Sequence, residues 1–141
     1  MPDADEIRDI YCARAMLEVG AICRARAGAD LDHVRAAVTD GKQARDSGDS
    51  AGVAAANQHF HRAIVSLAGS HRLDRLMAQM LAEMRLVFHA ARSNPSFYQD
   101  FVDENEAIYE LLERGQPADA AKAMEEYLRR SQSKVLLAAG G

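Results

Sequence analysis

The residues with the strongest claim to chemistry stand in one stretch, Asn57-Gln58-His59-Phe60-His61-Arg62-Ala63-Ile64. Wound as a helix, the stretch gathers Val53, Ala56, Phe60, Ile64 and Leu67 on one face, and Asn57 and His61 fall on that same face, one turn apart. His59 points the other way, toward water. An amide and an imidazole on the buried side need partners, because an unpaired buried polar group costs about 1–3 kcal/mol. Two readings meet that need. One is a pair of satisfied core hydrogen bonds; the other is a polar pocket for a metal or a small molecule.

Three more helical segments carry polar residues inward. Arg14 and Glu18 sit four residues apart within the stripe Ile7, Ile10, Tyr11, Leu17, Ala21, Ile22 and Ala25. On a surface that spacing is a common, weak ion pair; on an inward face both charges lose their hydration. The pair reads either as an intrahelical salt bridge at the edge of the core or as an arginine held ready for an anion. Asn105 lies within the stripe Phe97, Phe101, Ile108 and Leu112, flanked by Tyr98, Val102 and Tyr109. Tyr127 and Ser131 edge the stripe Ala121, Met124, Leu128 and Val135. Arg85 and His89 flank a wide stripe from Leu73 to Ala91, as surface or as the rim of a site.

These residues are positioned by helices throughout. No stretch alternates as a strand does, and the chain is rich in the helix formers Ala, Leu, Met, Glu, Arg and Gln. Turn residues divide it into six helices: about 3–26, ended before Gly28; 30–47, capped by Asp30; 52–67, closed at Gly69; 71–92, capped by Ser70 and expected to be central; Asn94-Pro95-Ser96 to 114, ended by Gly115; and 117–138, opened by Pro117. Gly140-Gly141 should fray. The expectation is one all-α domain over 1–141, a single antiparallel bundle of six helices.

Composition excludes several functions. With 141 residues, 48% apolar and 27% charged, the chain fits one globular domain. A net charge of -4 and the lack of a basic run argue against direct nucleic-acid binding. No segment is apolar enough for a membrane span, and the acidic N-terminus is no signal peptide. Cys12 and Cys23 lie three turns apart on one helix, about 16 Å by its rise, so they cannot bridge each other. They are expected to be buried or half-buried thiols in a reducing cytoplasm. There is no glycine-rich phosphate loop, His-Glu-x-x-His, Cys-x-x-Cys or Gly-x-Ser-x-Gly.

In context, these positions resemble the FCD domain, the C-terminal effector-binding domain of FadR-type GntR transcription regulators. Arg14-Ala15-Met16-Leu17-Glu18 is similar to that family's Arg-x-x-Leu-Glu, and Asn57 to Ile64 to its Asp-x-x-Phe-His-x-x-Ile. Leu67-Ala68-Gly69-Ser70-His71-Arg72-Leu73, Glu104 to Ile108, Arg114-Gly115-Gln116 and Ala120 to Leu128 follow in the family's order. The resemblance implies a homodimer and a cavity for a small organic acid. It also implies a divalent metal held by one Asp and three His. Carried over, those positions are Asn57, His61, Asn105 and Tyr127, so His61 is the only retained ligand. Two neutral amides and a phenol suit zinc or nickel poorly, and no metal cofactor is expected. Regulators of this family carry a winged helix-turn-helix before this domain, whereas here Met1 leads directly into the first helix. The chain is therefore read as a fragment of a longer regulator or as a relative without a DNA reader.

The first functional reading is the sensing of a small, anionic metabolite by a cytoplasmic, homodimeric regulator domain, with Arg14, Glu18, Asn57, His61, Arg85, Asn105 and Tyr127 as ligand-binding residues. The second is an enzyme on the same scaffold. There His61 would be the acid or base, because imidazole titrates near neutrality. Tyr127 would donate a proton or orient the substrate, and Arg14 would hold a carboxylate. The third is a purely structural dimer module.

Overall fold

A computed structural model describes residues 1–26, 28–91 and 95–140, with the backbone alone at 90, 91 and 95–99. The expected helix start at Asn94, the helix end at Arg92, the inward Ala91, Phe97 and Tyr98, and the end at Gly141 lie outside the residues or side chains described.

Among the described residues there are seven α-helices and no strand: α1 (Ala4–Arg24), α2 (Asp32–Asp46), α3 (Ser50–Ser66), α4 (His71–Glu83), α5 (Arg85–Ala91), α6 (Pro95–Glu113) and α7 (Pro117–Gly140). The seventh arises because the expected fourth helix divides at Met84. No proline or glycine marks the break. Backbone bonds continue through it, from Met84 N–H to Met80 and from Phe88 N–H to Met84, so it is a local tightening and leaves no sequence signal.

The ends follow their capping chemistry. Asp3, Asp49 and Ser70 accept from the backbone N–H of Glu6, Gly52 and Leu73. Asp30 caps α2 from one position further out, accepting from the N–H of Asp32. Gly69 and Gly115 take the left-handed conformation that stops α3 and α6. α1 ends sooner than expected, at Arg24, where Ala25 turns extended.

α1 packs along α7 and α2 along α3; α6 joins the pairs by touching α2, α3 and α7, and α1 also touches α3. The helix at the centre is therefore α3, which meets α1, α2, α4 and α6. This corrects the expectation for the segment beginning at His71. α4 buries only Met77 and Leu81, in a small second core with Val65, Leu17, Leu73 and Met80. Its apolar stripe is wider than the neighbours that cover it, and Leu76 is 48% exposed. Cys12 and Cys23 are exposed free thiols, a second correction: each directly follows an inward residue, Tyr11 or Ile22, and the turn of the helix carries it outward.

Candidate functional site

Six polar side chains meet between α1, α3, α6 and α7, and none of the six residues is more than 6% exposed. α1 supplies Arg14 and Glu18, one turn apart, and the Arg14 Nε–H donates to Glu18 Oε2 at 2.9 Å. The other Glu18 oxygen meets Nδ1 of His61 on α3. The far ring nitrogen of His61, Nε2, lies 2.9 Å from the Tyr127 hydroxyl on α7. That hydroxyl is also 3.1 Å from Asn57 Oδ1, which in turn accepts from Asn105 Nδ2 on α6 at 3.0 Å. The chain of contacts runs unbroken from a guanidinium to an amide across four helices. Beside it, Tyr11 and Ser131 share a hydrogen bond of 2.7 Å, and the Arg14 guanidinium lies 4.9 Å from the centre of the Tyr11 ring.

Burial sets the charge states. Burial alone would push the Glu18 carboxyl up, but Arg14 and His61 outweigh it and hold the group below its ordinary range. Burial would also favour neutral Arg14; the Glu18 carboxylate reverses this and keeps the guanidinium charged. His61 is lowered, first by burial and further by Arg14, against the pull of Glu18. Tyr127 is pushed well up by burial, and Tyr11 is raised for the same reason. Both phenols stay protonated. With Glu18 ionised, His61 Nδ1 is a donor, and its neutral ring offers Nε2 as an acceptor. The single Tyr127 proton then faces two acceptors, Nε2 and Asn57 Oδ1.

Two buried polar atoms in this centre meet no hydrogen-bond partner among the described residues, Arg14 Nη1 and Asn105 Oδ1, although the Arg14 guanidinium also interacts with the Tyr11 hydroxyl. The first is a spare donor on a fixed cation. The second lies among the residues around a cavity of about 10 Å³ that Val38, Val53 and Val102 also line, roughly the space of one water.

The residues expected at a site are therefore brought together with one exception. Arg85 is exposed and lines a shallow groove of about 260 Å³ between α3 and α5 with Ala51, Gln58 and His89. The division at Met84 places it at the start of a new helix, α5, and it is not part of the buried centre. The Tyr11–Ser131 pair was not singled out as a site, although Ser131 sits one turn from Tyr127 on the inward edge of α7. The chemistry open to the centre is hydrogen bonding to a ligand and compensation of a negative charge. Both ring nitrogens of His61 are already engaged.

The FCD domain family model matches residues 9–130. A crystal structure of a protein described as a GntR transcriptional regulator, from Rhodococcus sp. RHA1, is 31% identical, with a TM-score of 0.92 over 96% of this chain. A structure of Lar, which controls expression of the agr system of Listeria monocytogenes and mediates virulence, shares the fold at 18% identity, with a TM-score of 0.81 over 99% of this chain. The chain spans 66% and 65% of the lengths of these two proteins. No curated protein sequence matches it.

Proposed function

The chain belongs to the FCD domain family, and on that premise we propose that it is the effector-binding and dimerisation domain of a GntR-type transcription regulator that responds to a small organic anion. The observation that carries the anion is Arg14. Its guanidinium is charged and 1% exposed, and its Nη1 meets no hydrogen-bond partner among the described residues. Glu18 compensates the charge and leaves that donor free for a carboxylate. His61, Tyr127, Asn57 and Asn105 add polar contacts within the same centre. Because the centre is closed, an anion reaching Nη1 must part the surrounding helices, and that movement is what a regulator would pass on.

Dimerisation is what the family membership suggests, and α1 and α4 each leave one large apolar side chain outward that such an interface could use. Met16 is 74% and Leu76 is 48% exposed, on the two helices whose inner residues Leu17 and Leu73 share the small second core. Among the described residues no helix is long and apolar enough to cross a membrane, and two exposed free thiols suit a reducing cytoplasm. DNA reading belongs to another domain of such a regulator, since this one carries a net charge of -4.

A thermal-shift screen of small organic acids tests the reading. An acid at 100 times its dissociation constant should stabilise the fold by about 2.7 kcal/mol, and Arg14→Gln should abolish the shift while the protein remains folded. If no acid raises the melting temperature, or if Arg14→Gln responds as the native chain does, the anion reading fails. Light scattering tests the dimer: Leu76→Glu should shift the native protein toward monomer.

A further inference from the structure

The family resemblance implies a divalent ion at the positions of Asn57, His61, Asn105 and Tyr127, and the side chains here can be tested against that requirement. His61 is oriented as a metal ligand would be. A carboxylate, Glu18, engages its Nδ1 side, the arrangement that commonly fixes a metal-binding imidazole, and Nε2 faces the centre. Nε2 meets the Tyr127 hydroxyl at 2.9 Å, and Asn57 Oδ1 lies 3.1 Å from the same oxygen. The two groups that could coordinate an ion therefore converge on a phenol oxygen. The remaining donors are neutral amides, and among the described residues no three of His, Cys, Asp or Glu are grouped to hold an ion. Zinc prefers imidazole, thiolate and carboxylate at about 2.0–2.3 Å, so this set does not fit.

We propose that the Tyr127 hydroxyl stands where the metal ion implied by the family resemblance would sit, and that the buried hydrogen-bonded chain replaces coordination as the tie between α1, α3, α6 and α7. Each feature of an ion site has a counterpart made of this chain's own atoms. The fixed positive charge is the Arg14 guanidinium, neutralised by Glu18 at 2.9 Å. The point of convergence is the Tyr127 oxygen. The reach to α6 is the Asn57–Asn105 amide pair at 3.0 Å. The tie links all four helices without any ligand, whichever of its two acceptors the Tyr127 proton serves. Its test therefore reads metal content and melting temperature alone, and stands or falls separately from the effector reading.

Elemental analysis of the native protein, purified without chelator, should show zinc and nickel well below one equivalent. Its melting temperature should not respond to Zn²⁺, Ni²⁺ or EDTA. The triple variant Asn57→Asp, Asn105→His, Tyr127→His should take up about one equivalent, and the ion should raise its melting temperature in a way that EDTA reverses. Tyr127→Phe should melt about 3–8 °C below the native protein and remain metal-free. One equivalent of metal in the native protein, lost with His61→Gln, overturns the proposal. So does a triple variant that is folded by circular dichroism and binds no metal. If the triple variant does not fold, Tyr127→Phe decides: an unchanged melting temperature, or metal uptake by the native chain, refutes the tie.

Discussion

Charged and polar side chains link helices in two regions of this molecule, under opposite conditions. In the centre, Arg14, Glu18 and His61 are almost wholly shielded from water. Along the outer seam of α2 and α6, Arg45 reaches Asp103 at 2.7 Å, Lys42 meets Glu106, and Arg35 donates to the Tyr109 hydroxyl at 2.8 Å. The residue types and hydrogen-bond lengths are similar. In the seam, water reaches the carboxylates of Asp103 and Glu106 if their partners are removed, so these ion pairs are replaceable. In the centre, removal of one group leaves another charge or dipole without water or partner, so the side chains act as one unit. Burial, and not the count of ion pairs, decides which region a mutation can damage.

The largest expected effect follows directly. Glu18→Ala strands the buried Arg14 cation and unpairs His61 Nδ1, and breaking a buried pair costs about 3–5 kcal/mol. Denaturant unfolding of this variant should show a loss on that scale. Replacing both charges with apolar residues, as Arg14→Met with Glu18→Leu, should recover most of that loss, because it leaves no stranded charge. A double variant as unstable as Glu18→Ala would mean that the pair contributes net stability of its own, and the contrast with the seam would need another cause.

Acid should distinguish the regions next. His61 in the folded protein is lowered from its ordinary 6.5, chiefly by burial. Between those two values the unfolded chain binds the proton more readily, so stability rises with pH there. The contribution is complete above pH 6.5 and is lost as pH falls through the folded value. Glu18 has the same sign, with its loss beginning below its ordinary 4.5. Melting temperature should therefore decline from pH 7.5 to 5.5, and His61→Gln should flatten that decline. A higher melting temperature at pH 5.5 would mean that His61 is carried as imidazolium, donating to Tyr127 and freeing its hydroxyl for Asn57.

The two regions also differ in how far they were legible in the sequence. Helical periodicity alone turned Asn57 and His61 to the side of Phe60 and Ile64, and Arg14 and Glu18 to the side of Ile7 and Ile22. A polar residue on an apolar face stands out against its neighbours. Which inward groups touch is a matter of helix packing. The Tyr11–Ser131 bond joins residues 120 positions apart, and periodicity along a single helix does not reveal it. The same limit explains the errors. Leu73, Leu76 and Met80 form a stripe that suggested a central helix, whereas α3 holds that place. Arg85 follows a break at Met84 that no proline or glycine announces, and it points to solvent. Residue type alone makes Cys12 and Cys23 buried or half-buried, whereas their positions on the turn of α1 face outward.

The smallest expected effect lies in the seam and tests the other side of the contrast. Arg45 donates to Asp103 across α2 and α6, but the Asp103 side chain is 71% exposed. Desolvation is slight there, and the attraction between exposed charges is screened over about 8 Å at physiological salt. Arg45→Ala should therefore lower the melting temperature by less than about 3 °C. Most of that difference should vanish in 1 M salt, where the screening length falls to about 3 Å. The loss from Glu18→Ala should persist in the same salt, because ions cannot enter the shielded centre to screen Arg14. If the Arg45 effect is large and insensitive to salt, the seam is more than a solvated contact, and its packing on α6 contributes to the hold on Asn105.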